Sequence, residues 1–363
     1  MRAITPLNLD SRKVYETCIS SINDSNLRAR LEQVINFIFI AACDYHEKGL
    51  SENLHTIPAN ECENDDHVHG RVTKRELKLV YTSQMVGKGK PARNIYDEIL
   101  SQAPIGRCPF CGVGFASTLD HYLPKNSYPQ LSVTPENLVP SCKDCNTGKG
   151  TSLATNANEQ CLHPYFDHGN FISEQWLFAE IVDEKTLTAR YFVHPPKYWT
   201  DTSKARVKSH FDSFKLALRY SIEAANEIAS RKYYFDDVLY NNGLEVLIKI
   251  LESEANSHAR LHINSWQTAL YQALASEKKK ICAQLDDQLY EISRTTCQRC
   301  GGSGSIFKSN CDACYGMGSL SKVHSESLGE QLFAPIPCPN CIAGSPDCSL
   351  CKGVGKIPWE KTR

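Results

Sequence analysis

The sequence predicts an α+β fold in which zinc closes a small strand–strand–helix core that lies between helical regions. Three observations predict it: two CxxC pairs bracket a segment with strand periodicity, apolar residues recur at helical spacing on both sides, and cysteine and glycine dominate the tail. A chain of 363 residues is long enough for several domains. We predict a mainly helical N-terminal region with a basic segment, the core with a β-hairpin, a helical region and a cysteine-rich tail, at residues 1–104, 105–200, 201–295 and 296–363.

Charge and hydropathy narrow the class of protein. The formal net charge is −1, so any surface that binds nucleic acid must be local. The longest apolar run, Val34 to Cys43, is too short to span a bilayer, and the N-terminus lacks the apolar stretch of a signal peptide. From the sequence we expect a cytoplasmic, soluble protein with no membrane association.

Cysteine is the most unusual feature of the composition. The chain has 17 cysteines, and most of them fall in six CxxC pairs. In a reducing compartment this spacing indicates zinc, because two thiolates three residues apart can bind one tetrahedral ion. We expect the remaining cysteines to be small buried apolar residues; they are Cys18, Cys43, Cys62, Cys161 and Cys282.

Periodicity assigns the elements before the core. Apolar residues at helical spacing predict a helical stretch over residues 12–48, and the polar residues 51–70 are typical of a loop. Thr73 and Glu76 form a capping box that predicts a helix start, and a second short helix is predicted from Asn94 to Leu100.

Within the core, residues 114–122 and 137–141 are candidate strands, and a short helix is predicted from about Lys143. After the core, residues 176–182 and 187–193 alternate in the manner of a β-hairpin. Three apolar stripes predict helices over residues 202–293, and the composition then shifts sharply at about residue 295.

The two CxxC pairs at residues 108–145 predict one structural zinc site. Four thiolates complete a tetrahedral coordination shell and leave no open position for a substrate, so this zinc is expected to be structural. Its predicted ligands are Cys108, Cys111, Cys142 and Cys145.

The segment between the cysteine pairs carries the groups needed for hydrolysis of a phosphodiester, which requires a base and a cation. His121 is the candidate base, because an imidazole titrates near neutral pH. Asp120 precedes it in a strand and so points to the opposite side, where its carboxylate can hold a hard cation. Asn146 offers a second oxygen ligand, and Asn137 can hydrogen-bond the ring or nearby backbone and orient His121.

Over about residues 105–168 the sequence resembles the HNH endonuclease family of the four-cysteine kind. The resemblance implies a ββα-metal fold and hydrolysis of nucleic-acid phosphodiesters with Mg²⁺ or Mn²⁺. It makes Asp120 a metal ligand, His121 the general base and Asn137 the orienting residue. Asn146 departs from the histidine often found at the last position of the motif. The resemblance also implies a role in bacterial defence against foreign DNA and cooperation with an ATPase partner. We expect DNA as the substrate, although nothing in the motif separates DNA from RNA.

Two alternatives stay open from the sequence. One is a non-catalytic zinc adaptor that binds nucleic acid or protein, and the other is a nuclease directed at RNA. His163 and Asp167 either add to the metal site or belong to a turn packed beneath the core.

Basic residues near the core are candidate contacts for a nucleic-acid backbone. Residues 71–93 carry seven Lys or Arg against one acid, Glu76. The alternative is an ordinary solvated surface. The four candidate phosphate-binding residues are Lys74, Lys78, Lys125 and Lys149.

The tail contains four CxxC pairs, three of which continue as CxxCxGxG, and it resembles the cysteine-rich zinc domain of DnaJ-type co-chaperones. The resemblance implies two structural zinc ions in a β-hairpin domain, which with the core gives about three zinc ions per chain. One ion is assigned to Cys297, Cys300, Cys348 and Cys351, and the other to Cys311, Cys314, Cys338 and Cys341. The J-domain tripeptide is missing, so a docking arm or a stabilising module fits better than a co-chaperone.

Overall fold

The computed structural model describes residues 1–149, 153–182 and 188–277, and four two-residue strands in the tail. Residues 1–183 and 188–277 form one compact unit, and residues 184–187 and 278–363 are grouped into a second. The described residues form a helix-rich fold with small antiparallel sheets, as the α+β prediction requires. No helix in the described ranges is both long and apolar enough to cross a bilayer. The predicted domain boundaries stay a prediction.

The N-terminal region consists of three helices, where the sequence predicts one helical stretch. A break occurs before Ser25, because the Asp24 carboxylate accepts hydrogen bonds from two backbone amides and begins a new helix. Val34 then ends the second helix and begins the third. These helices are α1 (Ser11–Ser20), α2 (Ser25–Gln33) and α3 (Ile35–Leu50).

The predicted capping box is present. The Thr73 hydroxyl accepts from the Glu76 amide, and the Glu76 carboxylate accepts from the Thr73 amide. The elements here are β1 (His67–His69), β2 (Val72–Thr73), α4 (Lys74–Leu79) and α5 (Arg93–Ser101). Between α4 and α5 the helix widens into a π-helical segment, Val80–Met85, which we call the π-turn. The predicted loop at 51–70 therefore includes one short strand, and the helix predicted at 94–100 is confirmed.

The predicted strand–strand–helix order is present in the core. It consists of β3 (Thr118–His121), β4 (Leu138–Ser141) and α6 (Lys143–Lys149). The strands are antiparallel, and Asp120 pairs with Val139. β3 is shorter than the predicted 114–122, because the residues before Thr118 form the turn around the first cysteine pair.

The hairpin agrees with the prediction, and helices form over the predicted stretch. The first apolar stripe is divided between two helices, because Lys215 has a left-handed backbone conformation, and its Leu218 and Ile222 are exposed. The elements are α7 (Asn170–Ser173), β5 (Leu177–Ile181), β6 (Ala189–Val193), α8 (Asp201–Ser213), α9 (Leu216–Asn242), α10 (Leu244–Leu261) and α11 (Trp266–Ser276). β5 and β6 pair antiparallel over five residues each. Residues 278–294 of the predicted helical stretch lie outside the described residues.

The main hydrophobic core positions β3. Leu119 and Leu138 pack with apolar residues of α1, α3, α4 and α5. Side chains alternate along a strand, so His121 shares the face of Leu119, toward these helices. Thr118 and Asp120 lie on the other face, on the side of α6.

Two contacts connect α3 to a turn at residues 163–167 and to α8. A side chain on Gly49 has no space, because a Cβ there would lie 2.4 Å from the Phe166 ring. The fully buried Arg206 of α8 donates to Asp167 at 2.5 Å and to Glu52 at 2.6 Å. These contacts bring three regions distant in sequence into one packed unit.

The expectation that the scattered cysteines are buried is wrong for most of those described. Cys18 is buried, Cys62 and Cys161 are half-buried, and Cys43 is exposed. Cys43 differs because its position on α3 faces solvent, on the side opposite the buried Ala42 and Tyr45. Cys282 lies outside the described residues.

In the tail, two short antiparallel pairs are described. β7 (Thr295–Thr296) pairs with β10 (Ser319–Leu320), and β8 (Ser305–Ile306) pairs with β9 (Ser309–Asn310). The eight cysteines assigned to two zinc ions there lie outside the described residues. The double-zinc domain therefore stays a prediction.

Candidate functional site

The four cysteines of the core form a group that can hold a zinc ion. All four are buried, and their sulfur atoms lie within 4.8 Å of one another. The Sγ atoms of Cys111 and Cys142, from different pairs, are 3.9 Å apart. Four soft thiolates within reach of one point suit tetrahedral zinc. The predicted set Cys108, Cys111, Cys142 and Cys145 is thus brought together, and we call it the zinc staple.

Glycines allow the chain to turn around the zinc staple. Gly112 has a φ of +70°, and its amide donates to the carbonyl oxygen of Cys108 at 2.7 Å. Gly114 lies against the second cysteine pair, where a Cβ would be 2.6 Å from the Cβ of Cys142. The close approach of the two pairs therefore depends on glycine at 114.

Arg219 of α9 completes the surroundings of the zinc staple, and the sequence did not indicate it. Its Nη1 donates to Sγ of Cys145 at 3.1 Å, and its Nη2 donates to Sγ of Cys142 at 3.5 Å. Burial lowers the pKa of Arg219, but its hydrogen bond to Cys142 and the nearby thiolates outweigh this and raise the pKa. A cation here offsets part of the negative charge that four thiolates concentrate.

His121 is held in one orientation by backbone and ring contacts. Its Nε2 lies 2.8 Å from the carbonyl oxygen of Ser132. A carbonyl oxygen can only accept, so Nε2 carries the proton and Nδ1 is the basic nitrogen. The edge of the ring meets Tyr81 of the π-turn, with the ring centroids 4.4 Å apart. The side chain is therefore fixed in the tautomer that a general base at Nδ1 needs.

Asp120 and Asn146 share the opposite face of β3. The Asn146 amide contacts the Thr118 hydroxyl at 3.4 Å, and Thr118 lies two residues before Asp120 on the same face. Asp120 is buried and Asn146 is half-buried. One carboxylate and one amide oxygen on a common face are donors that fit a hard divalent cation.

Asn137 acts on the backbone of the loop between the strands. Its Oδ1 accepts from the Leu123 amide at 2.7 Å, and its Nδ2 donates to the carbonyl oxygens of Leu123 and Leu131. These bonds hold the loop that carries Ser132, whose carbonyl orients His121. Asn137 thus reaches His121 through backbone, one of the two ways considered from the sequence.

The candidate lysines occupy different environments. Lys125 is half-buried, and its Nζ lies 5.1 Å from the centroid of the Tyr81 ring. Burial lowers the pKa of Lys125, the charge of Lys78 lowers it further, and the charge of Asp120 opposes the shift. Lys74 instead points to the loop before β1, donating to the carbonyl of Cys62 at 2.6 Å. Lys149 ends α6, and its side chain is outside the described part of the chain.

His163 and Asp167 belong to a packed turn. Nδ1 of His163 accepts from the Tyr165 amide, and its Nε2 lies 2.9 Å from the Tyr45 hydroxyl. Asp167 bonds the His163 amide and the buried Arg206. Both side chains serve internal bonds, which favours the packing alternative over an addition to the metal site.

Three contacts of the site were missed because they leave no local signature. The carbonyl of Ser132 is a backbone group, and any residue type could supply it. Tyr81 lies at helical spacing from other apolar residues of the basic segment. That pattern predicts a position in the core, but it does not predict contact with the His121 ring. Arg219 lies 74 residues from Cys145 within a helical stripe.

Comparison with curated proteins finds two similar chains. Protein ea31 of Escherichia phage lambda is 35% identical over 223 residues, which is 58% of this chain and 75% of ea31. Septu protein PtuB of Bacillus thuringiensis is 45% identical over 49 residues, which is 14% of this chain and 18% of that protein. No family model and no solved structure matches the chain.

Proposed function

The chain belongs to the family of protein ea31 of phage lambda, and we propose that it is a metal-dependent endonuclease of the HNH class, with a ββα-metal core, that hydrolyses phosphodiester bonds in DNA. One observation carries the proposal. At the end of β3, a histidine fixed in one tautomer follows directly after the carboxylate of Asp120, and Asn146 of α6 lies on the Asp120 face of the strand, beside the zinc staple. This combination supplies a base and a cation site where one short strand meets the helix packed against it.

His121 acts as the general base. Its Nδ1 takes a proton from a water molecule, the water oxygen attacks phosphorus, and the P–O ester bond breaks. The Ser132 carbonyl, which accepts from Nε2, stabilises the imidazolium that results. Tyr81 and Ser132 restrict the ring, so little orientation entropy is lost when the substrate binds.

Asp120 and Asn146 hold the catalytic cation. Oxygen donors favour Mg²⁺ or Mn²⁺ over a softer metal. A divalent ion bound there would offset negative charge on the phosphate and on the leaving oxygen. Both residues lie on the Thr118 face of β3, and the zinc staple keeps α6 against that strand. A zinc ion bound by the zinc staple would be structural in this scheme, because four thiolates would complete its coordination shell.

Lys125 and Lys78 bind the phosphate backbone beside the reaction centre. Each has a lowered pKa caused first by burial, so each ammonium has already lost part of its hydration. A phosphate that approaches takes the place of the lost water, and its negative charge offsets the repulsion between the two ammonium groups.

Asn137 is a positioning residue, because its hydrogen bonds go to the loop that presents Ser132. The net charge of −1 argues against tight, unselective binding of duplex.

The test is cleavage of plasmid and linear DNA with Mg²⁺ or Mn²⁺, beside a matched panel of RNA. His121→Ala should lower the rate by about 10²- to 10⁴-fold, the usual contribution of a general base. His168→Ala is the control, because the Nε2 of His168 also bonds a backbone carbonyl, that of Tyr165, in a turn away from β3. Chelation of the divalent ion should stop wild-type cleavage. Equal rates for wild type and His121→Ala would overturn the assignment, and cleavage of RNA alone would correct the substrate.

The proposed defence role and ATPase partner rest on the family resemblance alone. They are separate from the chemistry at β3 and stay predictions.

A further inference from the structure

A cavity of about 230 Å³ lies beside the residues that directly follow β3. Its walls come from residues 122–124, the segment 153–161 and α8, and they include Leu123, Gln160, Cys161 and Ser213. We propose that this cavity binds one unpaired base of the nucleic acid, adjacent to the phosphate that is cut. The proposal rests on the proposed function, since it places the substrate backbone at Asp120.

The position of the cavity relative to Asp120 is set by the strand. Tyr122 lines the cavity, and its amide donates to the Asn137 carbonyl at 2.8 Å, which extends the β3–β4 pairing by one residue. Tyr122 therefore lies on the same face as Asp120, two residues further along. Two residues of strand span about 7 Å. A single nucleotide with its phosphate at Asp120 can thus place its base in the cavity.

The lining is suited to a planar group with polar edges. Leu54, Leu123 and Pro124 offer apolar surface for the faces of a base, and Ser209 and His55 add polar groups. Lys125 directly follows Pro124, so a backbone-binding cation adjoins this wall. Apolar walls with a few directed polar groups are typical of sites that hold a small planar ligand.

Gln160 supplies a donor that no described residue uses. Its Oε1 accepts from the backbone amide of His55 at 3.0 Å, and this bond fixes which end of the side-chain amide is oxygen. Its Nε2 is then a donor, and within the described ranges no acceptor bonds it. Gln160 is only 3% exposed, so this donor is held inside the protein at the cavity wall. The carbonyl oxygens and ring nitrogens of bases are acceptors of the matching kind.

An unpaired base fits this site better than a paired one. A base in a duplex is stacked on both faces and bonded along one edge, so it must leave the helix to enter a cavity. That step costs free energy in a duplex and little in a single strand or a bubble. The cavity therefore makes the substrate a strand with at least one unpaired base beside the cut.

The test measures binding of end-labelled DNA without added Mg²⁺ or Mn²⁺, so that the DNA stays intact. We compare a duplex with the same duplex carrying one unpaired base, and then with an abasic residue in that place. Wild type should prefer the unpaired base by roughly 10- to 100-fold, the range that stacking of one base provides. The abasic residue should remove the preference.

Two variants fill the cavity from different walls. Ser213→Leu and Ala154→Leu each add bulk at a side chain that makes no hydrogen bond within the described residues. Both should bind the two duplexes equally, within about twofold. Asp212→Leu is the control, since Asp212 is exposed on the same helix and lies outside the lining. Retention of the full preference by both filled variants would overturn the proposal.

The outcome separates this inference from the proposed function. If wild type prefers the unpaired base but cuts no DNA with any metal, the cavity assignment stands and the hydrolase assignment fails. If wild type and both filled variants cut DNA equally and show no preference for the unpaired base, the cavity assignment fails alone.

Discussion

One hydrogen bond decides how His121 can act. Since the Ser132 carbonyl accepts from Nε2, the proton must come to Nδ1, which is on the other side of the ring. The bond is held in turn by Ser132 itself, whose hydroxyl donates to the Leu77 carbonyl at 2.9 Å. The reactive geometry therefore depends on α4, which lies more than forty residues earlier in the chain.

The two hydrogen bonds of Arg219 with the cysteines lead to a prediction for a single residue. Arg219→Gln should weaken zinc retention by about 10- to 100-fold, because it removes the cation that bonds two of the thiolates. Competition with a coloured zinc chelator measures the effect. Arg231→Gln is the control on the same helix, where the side chain pairs with Glu254 and is remote from the cysteines. Equal zinc loss in both variants would contradict a role for Arg219 at the site.

At this scale the sequence indicates side chains but not their partners. Asp120, His121 and Asn146 could be singled out because their types and spacing carry chemical meaning in a local motif. The groups that orient them are a backbone carbonyl and residues from distant helices. Such groups are selected by the packed structure, and no local pattern in the sequence identifies them.

At the scale of elements, Glu76 connects α4 to α2. It completes the capping box with Thr73, and its carboxylate accepts two hydrogen bonds from Arg30, at 2.6 and 2.8 Å. The hydrogen bond with Arg30 is the main cause that lowers the pKa of Glu76. This connection fixes the start of the segment that carries Tyr81 and Lys78.

We expect Glu76→Gln to reduce the free energy of unfolding by about 1 kcal/mol at neutral pH, from the weakened cap and ion pair. The folded-state pKa is depressed, so the stabilisation is present above the ordinary pKa of 4.5 and is lost as the pH falls through the lower folded value. Urea unfolding of both proteins at several pH values measures this.

Glu32→Gln serves as the comparison, because the ion pair that Glu32 forms with Arg28 is exposed on both sides. It should reduce the free energy of unfolding less than Glu76→Gln does. A difference between wild type and Glu76→Gln that stays constant down to acid pH would contradict the assigned role of the charge.

The sequence predicts which helices and strands are present better than it predicts where each one begins and ends. Alternation and helical stripes are local, so the hairpin β5–β6 and helix α5 agree with the prediction. The break before α2 and the π-turn were not predicted, because a single cap and a widened turn depend on packing. β3 is shorter than predicted for the same reason, because the residues before it form the turn around the first cysteine pair.

On the scale of the whole molecule, the helices after the core support the zinc staple. His210 of α8 bonds the carbonyl of Phe110 at 2.8 Å, and the Tyr220 hydroxyl donates to the carbonyl of Cys111 at 3.0 Å. These two contacts connect α8 and α9 to the first cysteine pair, and Arg219 connects α9 to the second pair. The sequence predicts the helices from their stripes, but it does not indicate what they pack against.

The zinc content of the whole chain tests the prediction for the tail. Purified protein should hold about three zinc ions if all six pairs bind as predicted. Cys142→Ser should remove one, because it breaks the described four-cysteine group. Cys43→Ser should remove none, since Cys43 is exposed on α3 and outside the group. A value near one for wild type would contradict the double-zinc tail and leave the zinc staple unaffected.

The contact between Gly49 and Phe166 has a consequence for how such chains diverge. A methyl group at 49 would lie inside the Phe166 ring volume, so position 49 cannot grow while Phe166 stays the same. Among homologues, a larger residue at 49 should therefore occur together with a smaller one at 166. The two positions should be inherited as a correlated pair, and this pairing should persist even where the surrounding sequence has drifted.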